Sequence, residues 1–151
     1  MAKNNLDEYK RKFKQAQKNA LEVIARETIN QAHDAFDNEE SPSGQKWDEV
    51  QRRIPGTAAY KYPKRKKAHQ TRNILVGGGK GGRMKNSIRI IEAASDSVAV
   101  GTDKPYAATH NEGGQVNTGD TSFMMPKRTF LEPLERKKIE KILIEEFRKA
   151  F

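Results

Sequence analysis

Hydrophobic positions at the start of the chain recur at intervals of three and four: Leu6, Tyr9, Phe13, Ala16, Ala20, Val23 and Ile24, continued by Thr28, Ala32, Ala35 and Phe36. This spacing puts them on one face of a helix, with Lys and Arg on the other, and predicts a helix over 4–37. Such a helix is long for a globular domain, so part of it is expected to project or to pack on another subunit. Ser41-Pro42-Ser43-Gly44 is a turn signal that ends this segment, and Pro55-Gly56 is a second break. The only tryptophan, Trp47, lies between them.

The pattern then changes period. Ile88 and Ile90 alternate with Arg89 and Ile91, Ser95-Asp96-Ser97 turns the chain, and Val98 and Val100 flank Ala99, which predicts a β-hairpin over 87–101. Residues 104–112 read as a short helix holding Tyr106 and His110, and 113–122 as a polar loop. Residues 123–131 read as extended, with Pro126 restricting hydrogen bonding. Pro133 suits a helix start. Leu134, Ile139, Ile142, Leu143 and Phe147 then mark an amphipathic C-terminal helix over 133–150. Strands are clustered and not interleaved with helices, which predicts an α+β fold: a long N-terminal helix, a small antiparallel sheet, a C-terminal helix, and extended loops or arms. The 151 residues suit one domain spanning 1–151, with a basic and glycine-rich arm over 57–82 and the sheet region over 83–131.

Composition changes this picture in two ways. The hydrophobic fraction, 34%, is below the roughly 45–50% typical of globular domains, and the charged fraction, 32%, is above the usual ~25%. The core is therefore modest, and part of the chain is expected to gain order only on meeting a partner. Lys and Arg outnumber Asp and Glu by 29 to 20, a formal charge of +9. That balance favours a polyanionic partner, nucleic acid or an acidic protein surface. The absence of cysteine excludes disulfides and thiolate metal sites. No apolar run reaches the ~20 residues of a membrane span, and the first fourteen residues lack the apolar stretch of a signal peptide. A soluble cytoplasmic product without a membrane partner is expected.

Candidate chemistry is sparse. In Gly77-Gly78-Gly79-Lys80-Gly81-Gly82 the lysine is followed by glycine and not by the Ser or Thr that holds magnesium in a phosphate loop. A connector is the expected role. His33, His69 and His110 have no metal-ligand spacing, and His110 with Glu112 is the one acid–base pair worth naming. There is no nucleophile elbow. No catalytic, metal or cofactor site is predicted, and the chain is not expected to be an enzyme. Lys61, Lys64, Arg65, Lys66, Lys67 and Arg72 form a run of six cations without an acid. With Tyr60 and Tyr62 beside it, the run is a candidate contact for DNA or for an acidic neighbouring protein.

Several blocks carry a resemblance. Ser41-Pro-Ser-Gly-Gln-Lys-Trp47, Asn73-Ile-Leu-Val76, Gly82-Arg-Met-Lys-Asn-Ser-Ile88, Val98-Ala-Val-Gly-Thr102, Tyr106-Ala-Ala-Thr-His110 with Gly113-Gly114, and Met125-Pro-Lys-Arg-Thr-Phe-Leu131 occur in this order. Together they resemble the phage virion morphogenesis family, the tail-completion proteins of Mu-like phages. The sequence departs from that pattern at Gly77–Gly82, a glycine-rich insert, and at Met84, which takes a leucine position. The resemblance implies a structural virion component in the tail or neck, without catalysis or cofactor. It implies copies joined in a ring, a hexamer or dodecamer, beside head–tail connector and tail proteins and near the packaged DNA. Trp47, Tyr106, His110, Arg128 and Phe130 are the candidate subunit contacts. The alternative is a basic nucleic-acid-binding protein that uses the Lys61–Arg72 arm.

Overall fold

A computed structural model describes residues 2–62, 68–75 and 84–151. Helix α1 spans Ala2–Asn38, α2 Ala58–Lys61, α3 Ala68–Thr71, α4 Ala107–Glu112 and α5 Arg136–Ala150. Strands are β1 (Arg89–Ala93), β2 (Val98–Gly101), β3 (Gly114–Thr118) and β4 (Thr121–Met125). Single 3-10 turns cover Gln51–Arg53 and Lys85–Ser87. The architecture is α+β, as the patterning predicts.

It differs in detail. The strands form two separate two-stranded antiparallel sheets, β1–β2 and β3–β4, and not one sheet. The segment expected to be a polar loop, 113–122, supplies β3 and the start of β4. Its polar character reflects exposure: β3 is half-buried at Gly114 and Val116 alone and β4 is exposed from Thr121 to Met124, so little apolar alternation is imposed. Helix α4 begins after Tyr106, and α5 begins at Arg136, three residues beyond Pro133.

The chain divides into two compact units. The first comprises Met1–Asn30, Arg89–Gly101 and Pro133–Phe151. Its core joins Ala20 of α1 to Leu134 and Ile142, with Val23, Ile24, Ile139 and Leu143 packed around them. Ala16 and Ala20 are buried small residues on the α1 stripe. Phe13 meets Phe147 edge-on with ring centres 5.0 Å apart, and Tyr9 stacks on Phe151 at 5.7 Å. Lys138 pairs with Glu27 at 2.8 Å. In β1–β2, Ile90 faces Val100 and Glu92 faces Ala99, so Ile91 is the extra residue of a bulge. A side chain at Gly101 would meet the tip of Ile91, Cδ1, at 2.9 Å, so Ile91 packs over the glycine.

The second unit comprises Gln31–Ile88 and Thr102–Glu132. Its interior holds Phe36, Trp47, Ile74, Met84, Ile88, Ala107 and Phe130. Phe36 is the hinge of an aromatic trio, 5.7 Å from Trp47 and 5.0 Å from Phe130 between ring centres. Burying a large apolar side chain stabilises by about 1.5–3 kcal/mol, so this trio dominates the unit.

Candidate assembly surface

The second unit is built on the end of α1. Glu39 adopts a left-handed conformation (φ 55°), and the Glu40 N–H donates to the Ala35 carbonyl at 3.2 Å. This is the bonding of a Schellman helix stop, with glutamate in the place usually taken by glycine. The Ser41–Gly44 turn follows. Ser41 Oγ accepts from the Gln45 N–H at 3.0 Å, and the Gly44 N–H donates to the Ser41 carbonyl at 2.8 Å. The turn sends Trp47 back against Phe36, where its Nε1 donates to the Thr129 carbonyl at 3.0 Å.

Glu39 also ties distant segments together. Arg53 Nη1 donates to both oxygens of its carboxylate, at 2.7 and 2.8 Å, and the Ile74 N–H donates to Oε1 at 2.8 Å. Burial pushes the Glu39 carboxyl up, but these bonds and the positive charge of Arg53 outweigh it and hold the group below its ordinary range. Arg52 Nη2 adds bonds to the carbonyls of Arg72 (2.6 Å) and Asn73 (3.0 Å). Burial, then the charges of Arg72 and Arg53, lower the pKa of Arg52. Arg52 thus ties the 72–73 backbone to the Gln51–Arg53 turn, while the charge of Arg53 is compensated by Glu39 and Glu49.

The segment Met125–Leu131 is fixed by α4. Asn111 Oδ1 accepts from the N–H groups of Phe130 and Leu131, both at 3.0 Å. Thr129 Oγ1 donates to the Asn111 carbonyl at 3.2 Å, and the Arg128 N–H to the His110 carbonyl at 2.8 Å. Arg128 is buried, and its Nε and Nη2 donate to the Asp48 carbonyl at 3.3 and 3.1 Å. Burial lowers its pKa, opposed by the charges of Asp48 and Glu49. Burial, then the charge of Arg128, also lowers the pKa of His110. Gly113 is required where α4 meets this segment: its φ is +72°, and a Cβ would lie 2.9 Å from the Lys127 nitrogen.

Of the residues singled out from the sequence, Trp47, Arg128 and Phe130 are therefore brought together inside this unit, with their side chains engaged by its own core. His110 is half-buried, and Tyr106, which meets its ring edge-on at 6.1 Å, is exposed. Lys61 is exposed at the end of α2. Lys64, Arg65, Lys66, Lys67 and the Gly77–Gly82 insert lie outside the described residues. Among the described residues no group of three His, Cys, Asp or Glu is placed to hold a metal. None of the described helices is long and apolar enough to cross a membrane.

The open surface lies on the hairpins. In β3–β4, Val116 faces Phe123 and Gln115 faces Met124, joined by a two-residue turn at Gly119-Asp120 with Gly119 at φ 60°. Positive φ at the first turn residue is what glycine permits in a type II′ hairpin turn. Phe123 is 45% and Met124 71% exposed, and in β1 Ile90 is 42% and Ile91 58% exposed. Among the described residues each hairpin has two strands, and neither of its outer edges has a strand partner. The sequence signal for β3–β4 was its Thr-Gly-Asp-Thr turn between two short runs, and the absence of apolar alternation hid it.

No curated protein and no solved structure matches this chain. The model of the phage virion morphogenesis family matches residues 1–148. The chain, whose sequence blocks, α+β fold and open hairpins agree with a structural role, belongs to the phage virion morphogenesis family.

Proposed function

We propose that this protein completes the phage tail at the head–tail junction by forming a ring of identical subunits in the neck. It acts there as a structural part and not as a catalyst. The observation that carries the reading is the pair of two-stranded hairpins with open edges and exposed Ile90, Ile91, Phe123 and Met124. A lone two-stranded hairpin is marginal in water, and an unpaired edge is a template for another chain. A repeated heterologous contact closes into a ring when its rotation permits. The hexamer or dodecamer would lie between head–tail connector and tail proteins, with its basic groups near the DNA path. Tyr106, exposed beside the fixed Met125–Leu131 segment, is the aromatic contact it offers a neighbour.

Deletion of the gene tests this. Phage lacking the protein should make heads and tails that fail to join, and a reconstruction of wild-type particles should show its density at the neck. Normal infectious particles from the deletion would sink the reading.

A further inference from the structure

The first unit carries a groove of 670 Å³ between α1 and the β1–β2 hairpin. Leu21, Ile90, Ala93, Ala94 and Val98 give it an apolar lining, and Arg11, Lys14 and Lys18 of α1 border it. Among the described residues these three cations make no ion pair, and all three are exposed. Glu22, one helical turn beyond Lys18, and Asp96 in the hairpin turn are the two acids of the lining. The groove thus has a cationic stretch on α1 with Glu22 one turn beyond it.

The β3–β4 hairpin has the complementary character. Residues 114–125 contain a single charged residue, Asp120, at the turn. Phe123 and Met124 are exposed, and Lys127, also exposed, follows the base of β4. Lys127 pairs with Glu112 at 3.9 Å, so the base carries both signs and the acidic tip is the net charge of the hairpin. Five residues of strand span about 17 Å at ~3.4 Å each. The α1 border from Arg11 to Glu22 rises about 16 Å at ~1.5 Å per residue.

From this match in length, apolar character and charge, one acid at the tip against three cations on α1, we infer that the β3–β4 hairpin of one copy docks in the α1/β1–β2 groove of the next. Asp120 lies among Arg11, Lys14 and Lys18, and Phe123 covers the apolar lining. The contact is heterologous, hairpin to groove, so an open row of subunits keeps one hairpin and one groove free at its ends until a ring closes. The apolar lining selects a protein segment over a nucleic-acid backbone. The inference rests on the ring reading above and names the contact that would build the ring.

The absence of cysteine makes a clean test possible. Purified particles carrying both Lys14→Cys and Asp120→Cys are treated with a short bismaleimide. The expected product is a ladder of multimers, whereas either single variant gives none beyond a dimer. Particles that contain the protein but yield no ladder overturn the docking and leave the neck role standing. Wild-type particles that lack the protein overturn the neck role and the docking with it. In solution, Phe123→Asp and Ala94→Arg should each lose self-association, with unchanged circular dichroism. Their mixture should sediment as a one-to-one dimer, because one intact hairpin and one intact groove remain. Self-association of either variant at the wild-type level also overturns the inference.

Discussion

Arg53 grips both oxygens of Glu39 through a single guanidinium nitrogen, at 2.7 and 2.8 Å, although Glu39 stands in a left-handed conformation that glutamate seldom adopts. The conformation is needed to stop α1, and the carboxylate is needed to hold Arg53 and the Ile74 N–H. The two demands meet at one residue. Glu39→Gln should cost about 2 kcal/mol, the scale of hydrogen bonds to a charged group. Glu39→Gly should be less damaging than Glu39→Ala by about 1 kcal/mol, because glycine removes the left-handed penalty. Urea midpoints of the three variants check the order.

The same pair sets a pH dependence. The folded pKa of Glu39 lies below its ordinary 4.5, so just below that value the unfolded chain binds more protons than the folded one. Its stabilisation is present above 4.5 and fades as pH falls through the folded pKa. Stability measured from pH 6 downward should drop more steeply in the native protein than in Glu39→Gln.

His110 acts in a separate window. Burial and Arg128 lower its pKa below the ordinary 6.5, so protonation favours the unfolded chain. Its contribution is present above 6.5 and is lost as pH falls through its folded value. A nuclear magnetic resonance titration should show His110 protonating at lower pH than a histidine in the unfolded chain. His110→Gln should flatten the stability profile just below 6.5. A steep profile retained in that variant would assign the effect elsewhere.

Asn111 anchors the Phe130 and Leu131 amides through one oxygen. Asn111→Ala leaves two donors without that partner, at about 1–3 kcal/mol each. Asn111→Asp keeps the acceptor but places a second negative charge beside Glu112, the present partner of its Nδ2 at 2.7 Å. The aspartate variant should therefore fall between native and alanine in thermal denaturation, and closer to native at low pH.

Trp47 is the single tryptophan, so its fluorescence reports on the second unit alone. Trp47→Phe removes the bond to the Thr129 carbonyl and should cost about 1–2 kcal/mol. Phe36→Ala, which empties the centre of the aromatic trio, should cost about 3–5 kcal/mol and shift the fluorescence transition to lower urea. Equal costs for the two would contradict the central place of Phe36.

What the sequence determined by itself follows from periodicity and order. The apolar stripes of α1 and α5 are legible because a helix facing a core must repeat every three to four residues. The bulged β1–β2 hairpin is legible because β-branched residues flank a polar turn. The family is legible because its blocks recur in order from Ser41 to Leu131. What only the tertiary structure decided concerns side chains that meet across long separations. The sequence marks Trp47, Arg128 and Phe130 as important without saying which way they face. The fold turns them inward, because Phe36 and the carbonyls of Asp48 and Thr129 are waiting there. Asn111, Arg52 and Glu39 carry no periodic signal at all. Their roles come from bonds to backbone groups that lie nearby only after folding, and such partners leave no pattern in the order of residues. The β3–β4 hairpin escaped for a related reason: exposed along most of its length, it has too few buried positions to set an apolar alternation.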